Sequence, residues 1–270
     1  MNLGPLSFPV APLILLVSVA IAVVAARLAG RGARDAEGAI VNSVIVGLVV
    51  SRLSFVAHYL PAYQGDVLKM LDFRDQGFDR LPGVVAGALM LLWVVLRRRH
   101  LRGAAVIAAL AGVFTWSAAS AFAGTGRESE FLPAVQLVDM NGTMQTLARN
   151  DGKPLVVNLW ASWCGPCRGE MPVLAEAQRE FTGVDLAFVN QGESRVTVSD
   201  FVTTQGLSLR NLALDPSLAV ARAVGARAFP TTLFYDGTGK LLAVHLGPFS
   251  QATFQNALET LYPASVSAAR

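Results

Sequence analysis

The sequence predicts an α-helical membrane domain of four spans followed by an α/β domain. Hydrophobic residues make up 53% of the chain and charged residues 15%, and the mean hydropathy of +0.47 is too high for one ordinary soluble domain. The apolar excess lies in residues 1–123, whereas residues 124–270 alternate short apolar runs with helical patterns. Strands that alternate with helices indicate parallel pairing with helices on both faces of a sheet.

Four apolar runs have nearly the length of about 20 residues that crosses a bilayer. They are residues 8–26, 40–60, 82–96 and 103–123, of which the third is the shortest. Short cytoplasmic loops collect Lys and Arg, so the two arginine-rich connections are expected inside and both termini outside the cytoplasm. The arginines of these connections are Arg27, Arg31, Arg34, Arg97, Arg98, Arg99 and Arg102.

The sequence pI of about 9.1 reflects the arginines of these connections. Residues 1–123 contain 11 basic and 6 acidic side chains, whereas residues 124–270 contain 11 and 13. The basic excess therefore belongs to the membrane half, and a nucleic-acid partner is excluded.

The fourth run also has the pattern of a signal peptide. Basic residues from Arg97 precede an apolar core, and the small residues Ala121 and Ala123 occupy the specificity positions of an A-x-A cleavage site. Two interpretations stand: cleavage after Ala123 that releases a soluble domain, or an internal span that ends in small residues.

A CxxC motif follows a valine-rich run that predicts a buried strand, and the motif begins a helical pattern. Cys164 is expected at the helix N-terminus, where unpaired N–H groups and the macrodipole favour a thiolate. Cys167 lies one turn further on the same side, so it can attack a mixed disulfide formed by Cys164. Pro166 fits the first turn, where a missing N–H costs nothing.

Half of a zinc site is the alternative interpretation of CxxC spacing. Cys164 and Cys167 are the only cysteines, and the sequence has no second CxxC or HxxxH that would complete four ligands. His58, His100 and His245 are scattered. We therefore expect no metal and no cofactor.

The run Trp-Ala-Ser-Trp-Cys-Gly-Pro-Cys-Arg-Gly-Glu-Met-Pro, residues 160–172, resembles the active site of the thioredoxin superfamily. More narrowly, it resembles the membrane-tethered extracytoplasmic TlpA, ResA and CcmG-like thiol-disulfide reductases, over residues 131–262. The resemblance implies a thioredoxin fold with an N-terminal β-hairpin extension. It also implies reduction of oxidised extracytoplasmic protein substrates by the dithiol.

The elements expected in this half follow from local patterns. Residues 124–130 form a linker, and Asn141-Gly142 predicts a hairpin between 131–138 and 144–147. A helix from Cys164 to about Phe181 contains Pro172, which is expected to kink it. The remaining elements are strand 184–190, helix 198–205, strand 212–214, a helix begun by Asp215-Pro216 and ending near Gly225, hairpin strands 233–235 and 241–246, helix 251–261 and a frayed tail 263–270.

Phe229-Pro230-Thr231-Thr232 resembles the cis-proline loop of the superfamily. The resemblance implies that Pro230 lies beside Cys164, with neighbouring backbone open to an extended substrate segment. The residues expected to contact substrate are Trp163, Gly165, Pro166, Phe229 and Thr231. Read without the resemblance, Pro230 is a proline before a strand.

One departure from cytosolic thioredoxin concerns proton transfer. Asn158 stands where thioredoxin has a buried aspartate six residues before the first cysteine, and an amide cannot act as a base. Glu193, in Asn-Gln-Gly-Glu-Ser, matches the acidic residue that TlpA-like reductases have near the active site and could replace that carboxylate. The alternative is a solvated loop glutamate or a helix cap.

Residues 46–87 resemble the first half of prolipoprotein diacylglyceryl transferase, and Arg52 matches the arginine of its second span. At the histidine of that family this chain has Leu81, and the later catalytic segment has no counterpart, so transferase activity is not expected. An intramembrane arginine is costly, so Arg52 either binds a lipid headgroup or is satisfied by helix carbonyls. A lipid-modifying or lipid-binding protein with an accessory thioredoxin domain is the alternative function, and His58 is expected to be interfacial.

Electrons for the CxxC pair must come from another protein, because the predicted spans contain no cysteine. A membrane thiol reductant of the DsbD or CcdA kind is the expected donor. The Gly-Pro pair between the cysteines resembles that of the reducing members of the thioredoxin superfamily. The expected location is the bacterial inner (cytoplasmic) membrane, multi-pass, with the thioredoxin-like domain on the periplasmic side and membrane lipids as further partners.

Overall fold

The computed structural model describes residues 2–3, 6–7, 10–29, 33–123, 131–147 and 152–267. Two compact units divide the chain, one comprising Met1–Leu71 and Gln76–Gly126 and the other Asp72–Asp75 and Arg127–Arg270. The expected linker 124–130 lies outside the described residues, and the domain boundary at 123 stays a prediction.

The first unit is helical. Its elements are β1 (Asn2–Leu3), β2 (Leu6–Ser7), α1 (Val10–Leu28), α2 (Ala33–His58), α3 (Val67–Leu71), α4 (Arg80–Arg97) and α5 (Arg102–Ala123). Three segments among the described residues are long and apolar enough to cross a membrane, namely Asp35–His58, Arg80–Arg97 and Arg99–Phe122. The apolar helix Pro12–Leu28 is shorter, so a helical region with three candidate spans is confirmed and the count of four is not.

Glycines bring α2 and α4 close together. A Cβ atom added to Gly47 would lie 2.9 Å from the carbonyl oxygen of Gly83, and one added to Gly87 would lie 3.0 Å from that of Ser43. Without a side chain at these positions, the two backbones approach closely enough for van der Waals contact, as is typical of helices in membranes.

The second unit is an α/β fold around one seven-stranded sheet with strand order β4-β3-β7-β6-β5-β8-β9. The strands are β3 (Gln136–Asp139), β4 (Met144–Thr146), β5 (Leu155–Trp160), β6 (Asp185–Gln191), β7 (Leu212–Asp215), β8 (Thr231–Tyr235) and β9 (Leu241–Leu246). β5, β6 and β7 pair in parallel, and the other pairs are antiparallel. The predicted hairpins β3–β4 and β8–β9 are confirmed.

Helices cover both faces of the sheet, as predicted. They are α6 (Gly165–Glu180), α7 (Arg195–Thr204), α8 (Ala219–Ala223), α9 (Gln251–Leu261) and α10 (Pro263–Ser267). α6, α7 and α9 share one apolar core with Val156 and Trp160 of β5, whereas α8 packs with Val157 and Leu159 on the opposite face. Every residue of β5 is buried, so this strand gives the site beyond it a rigid base.

Several predicted boundaries differ from the structure for local reasons. α7 begins three residues early because the hydroxyl of Ser194 accepts the Thr197 amide and caps the helix. The Asp215 carboxylate accepts the amides of Ala219 and Val220, so α8 begins beyond Pro216. α6 continues through Pro172. The expected frayed tail is instead the short helix α10 through Ser267, held by the buried side chain of Val266.

Candidate active site

The CxxC motif lies where β5 ends and α6 begins. Cys164 is the N-cap of α6, in an extended conformation, and its Sγ accepts the amide of Cys167 at 3.2 Å. The two cysteines form a disulfide with their Cα atoms 5.3 Å apart, and Cys164 is 6% exposed and Cys167 fully buried. In the reduced state this amide and the helix N-terminus would stabilise a thiolate at Cys164.

Residues around the disulfide differ in exposure. Trp163 is 69% exposed, and Gly165 and Pro166, the first two residues of α6, are also exposed. Phe229 is half-buried, and its ring centroid lies 6.1 Å from that of Trp163. The structure thus brings the loop before Pro230 next to the CxxC turn.

The Phe229–Pro230 peptide bond is cis, as the resemblance implied. Thr231 opens β8 opposite Leu159 of β5, so the loop ends at the same sheet edge as the cysteines. The side chain of Thr231 is buried, and its hydroxyl donates to the carbonyl of Ala228 at 2.6 Å. Contact between Thr231 and a substrate stays a prediction.

Glu193 lies beside the turn that precedes Cys164. Its carboxylate accepts the amide of Ser162 at 2.7 Å, the hydroxyl of Ser162, and the side-chain amide of Asn190 at 2.6 Å. Through these contacts the carboxylate stabilises the turn before Cys164. The expected role of Glu193 as a base stays a prediction.

Glu170 is a buried carboxyl that sequence reasoning missed. It lies one turn after Cys167 on the buried face of α6 and is fully buried. Oε1 accepts the side-chain amide of Asn158 at 2.8 Å, and Oε2 accepts the backbone amide of Phe249 at 3.0 Å. The signal that could have found it was an acidic residue three positions after Cys167, among apolar residues of the same face.

Burial raises the pKa of Glu170 to about 7, and the hydrogen bonds from Phe249 and Asn158 oppose part of that rise. Asn158 also donates to Thr232 Oγ1 at 3.0 Å. The amide that stands in place of a buried aspartate therefore orients a different carboxyl, supplied by α6. Such a carboxyl is half ionised near neutral pH, which suits a proton acceptor.

Arg52 is held by the segment that follows α2. Its guanidinium donates to the carbonyls of Met70 at 3.0 Å, Gly77 at 2.8 Å and Lys69 at 3.3 Å. The rings of Phe55, Tyr63 and Phe78 lie 5.8 to 5.9 Å from its Cζ. These contacts favour the structural alternative, in which carbonyls of the helix α3 and of the loop residue Gly77 satisfy the guanidinium, and binding of a lipid headgroup stays a prediction.

Metal ligation finds no support in the part of the chain that the structure describes. Those residues contain no group of three or more His, Cys, Asp or Glu side chains that could hold a metal ion.

Comparisons with known proteins agree with this geometry. The family model described as Redoxin matches residues 127–261. The thiol-disulfide oxidoreductase ResA of Halalkalibacterium halodurans is 31% identical over 161 residues, covering 59% of this chain and 91% of that protein. The thiol:disulfide interchange protein DsbE homolog of Paracoccus denitrificans is 34% identical over 163 residues, covering 56% of this chain and 86% of that protein.

Among solved structures, a thioredoxin family thiol:disulfide interchange protein from Chlorobium tepidum TLS aligns with a TM-score of 0.43 and 25% identity, covering 48% of this chain and 94% of that one. The Redoxin match lies in the second unit, so the resemblance of residues 46–87 to diacylglyceryl transferase stays a prediction. The chain belongs to the Redoxin family and is an enzyme of the thiol-disulfide oxidoreductase class.

Proposed function

We propose that this protein is a membrane-anchored, extracytoplasmic reductase of protein disulfides. The observation that carries the proposal is a disulfide at the N-terminus of α6 with a buried carboxyl, Glu170, one turn behind it. The sulfurs supply the electrons, and the carboxyl supplies a place for a proton.

In the first step, the Cys164 thiolate attacks one sulfur of a substrate disulfide. A Cys164–substrate disulfide forms, the substrate S–S bond breaks, and the first substrate sulfur leaves as a thiolate. In the second step, Cys167 gives its proton to the Glu170 carboxylate and attacks Cys164 Sγ. The second substrate sulfur then leaves, so two electrons have moved to the substrate and the Cys164–Cys167 disulfide remains.

Substrate recognition follows from the exposed residues around the disulfide. Trp163 and Phe229 offer an apolar surface, and the exposed Gly165-Pro166 turn borders Cys164, which is itself 6% exposed. An extended substrate segment beside Pro230 would place its own cysteine next to Cys164.

Anchoring and orientation follow from the first unit. Three described helices have the length and composition of membrane spans, and α1 is proposed as a fourth. The arginine-rich connections lie on the cytoplasmic side of a bacterial inner membrane, so the dithiol faces the periplasm. A membrane thiol reductant of the DsbD or CcdA type is then required to reduce the Cys164–Cys167 disulfide after each turnover.

The test is capture of the mixed disulfide. Full-length protein with Cys167→Ser should accumulate a covalent complex that reductant dissolves, because Cys164 can attack but nothing resolves the product. The matched control, Cys164→Ser, should capture far less. Equal capture by both variants, or none by either in the presence of oxidised extracytoplasmic proteins, would contradict the proposal.

A further inference from the structure

His245 is a buried titratable group that the mechanism above does not use. It lies on the edge strand β9 directly opposite Thr232 of β8, which in turn lies opposite Asn158 of β5. Paired residues of neighbouring strands point to the same face of a sheet. The three side chains therefore form one polar row on the face that carries α6 and Glu170.

His245 makes a close contact with the residue that donates to Glu170. Its imidazole stacks on the ring of Phe249, with the centroids 3.9 Å apart and the planes inclined by 25°. The backbone amide of Phe249 donates to Glu170 Oε2 at 3.0 Å. Phe249 is buried and also meets Phe234 and Phe254 edge-on, so its ring is packed on several sides.

The imidazole is neutral at neutral pH. Burial lowers the pKa of His245 to about 4, and the backbone of Pro248 opposes part of that change. Within the described part of the chain, its Nε2 is buried and has no hydrogen-bond partner. The uncharged imidazole thus contacts Phe249 through the flat face of its ring, beside its hydrogen bond with the backbone of Pro248.

We propose that His245 is a positioning residue for Glu170, because its stacked ring fixes Phe249 so that the Phe249 amide stays at Glu170 Oε2. This inference rests on the proposed function, in which Glu170 accepts the proton of Cys167. A hydrogen bond to the carboxylate favours its ionised form, and a looser bond would leave Glu170 protonated at higher pH. A protonated Glu170 cannot take the proton, so the resolving step would slow.

Within the described residues, the other groups on the Glu170 side of the sheet come from α6, β5, β8, β9 and the end of α9. α6 contributes Cys164 and Cys167, β5 and β8 contribute the neutral Asn158 and Thr232, and β9 contributes His245. The same core includes Tyr262, the C-cap of α9, whose pKa is raised by burial so that it stays neutral. Among these groups, Glu170 has a pKa of about 7, whereas Asn158, Thr232 and the neutral His245 carry no charge at that pH.

The experiment measures how the rate of disulfide reduction depends on pH. Reduced full-length protein in detergent is mixed with an excess of a model protein disulfide such as insulin, and single-turnover rates are recorded between pH 5 and pH 9. His245→Ala should move the midpoint of the rate profile upward by roughly half a pH unit or more. The control is Val244→Ala, because Val244 pairs with Leu233 on the opposite face and should leave the midpoint in place.

The Glu170→Gln background shows whether His245 acts through Glu170. His245→Ala in that background should cause no further shift of the midpoint. A shift of the same size there, or no shift in the otherwise unchanged chain, would overturn the positioning role. Failure of the proposed function is a separate result, since the unmodified chain would then reduce no disulfide at any pH.

Discussion

At the scale of single residues, Glu170 carries the first prediction. Replacing Glu170 by Gln keeps the size of the side chain and removes the proton acceptor beside Cys167. Single-turnover reduction at pH 7 should slow by about 100-fold, because general base catalysis contributes on that order. Formation of the mixed disulfide by Cys164 should be little changed, since it precedes the proton transfer. A variant that resolves the mixed disulfide at the normal rate would exclude Glu170 as the base.

The raised pKa of Glu170 also predicts a pH-dependent stability. In the folded state the group binds its proton up to about pH 7, whereas its ordinary pKa is 4.5, so the folded state holds more protons between these values. Its contribution is therefore present below pH 4.5 and is lost as the pH rises through 7. Between pH 5 and pH 8 the loss is about 2 to 3 kcal/mol.

The measurement of this loss must separate Glu170 from His245. The pKa of His245 is lowered to about 4, so its contribution runs in the opposite direction, being lost as the pH falls from 6.5 towards 4. The free energy of unfolding is measured with denaturant for the unmodified chain and for Glu170→Gln, each at pH 5 and pH 8. The His245 contribution is the same in both proteins, so it cancels when one is subtracted from the other. A difference that is independent of pH would contradict the assigned pKa of Glu170.

Glu193 gives a contrasting prediction. Glu193→Gln loses acceptor capacity at Ser162 and Asn190, so the turn before Cys164 should loosen and kcat/KM for disulfide reduction should fall several-fold. The midpoint of the pH profile should stay where it is. A displaced midpoint would instead establish Glu193 as the base that the sequence suggested.

These two glutamates show where sequence reasoning reaches its limit at the residue scale. Cys164, Cys167 and Pro230 were identified because short motifs specify them. Asn158 drew attention because an amide stands there in place of a buried aspartate, and a carboxyl to replace that aspartate was sought in the loop that holds Glu193. Glu170 lies within the motif of residues 160–172 but was not singled out. Its proposed role depends on its contact with Phe249, which lies 79 residues away in sequence. A single sequence does not show that two residues so far apart are in contact.

At the scale of elements, the caps decide where helices begin. Ser194→Ala removes the hydroxyl that accepts the Thr197 amide at 3.2 Å and should lower the free energy of unfolding by about 1 kcal/mol. Ser199→Ala, at an exposed position inside α7, is the matched control and should not destabilise the protein. Thermal unfolding followed by circular dichroism compares the two, and equal losses would show that the cap contributes nothing.

The order and type of the elements were predictable because hydrophobic periodicity and turn residues are local. β5, β6, α9 and the β8–β9 hairpin all lie within two residues of their expected bounds at the ends that were specified, whereas β3 begins at Gln136, five residues after the expected start. The errors at α7 and α8 came from side chains of Ser194 and Asp215 that select the first turn. The short helix α10 was missed because its stability comes from the burial of Val266, a tertiary contact.

At the scale of the whole molecule, the arginine-rich connections predict which side of the membrane the dithiol faces. In intact cells treated with a mild reductant, a membrane-impermeant maleimide should label Cys164, because the proposed topology places the second unit outside the cytoplasm. The control carries Arg99→Cys with both native cysteines replaced by serine, and it should be labelled only after the membrane is permeabilised. The molecular mass of the labelled band also tests processing, since full-length protein excludes cleavage after Ala123. Labelling of the Arg99→Cys control in intact cells, with protection of Cys164, would reverse the topology and remove the dithiol from the compartment that the proposed reductase requires.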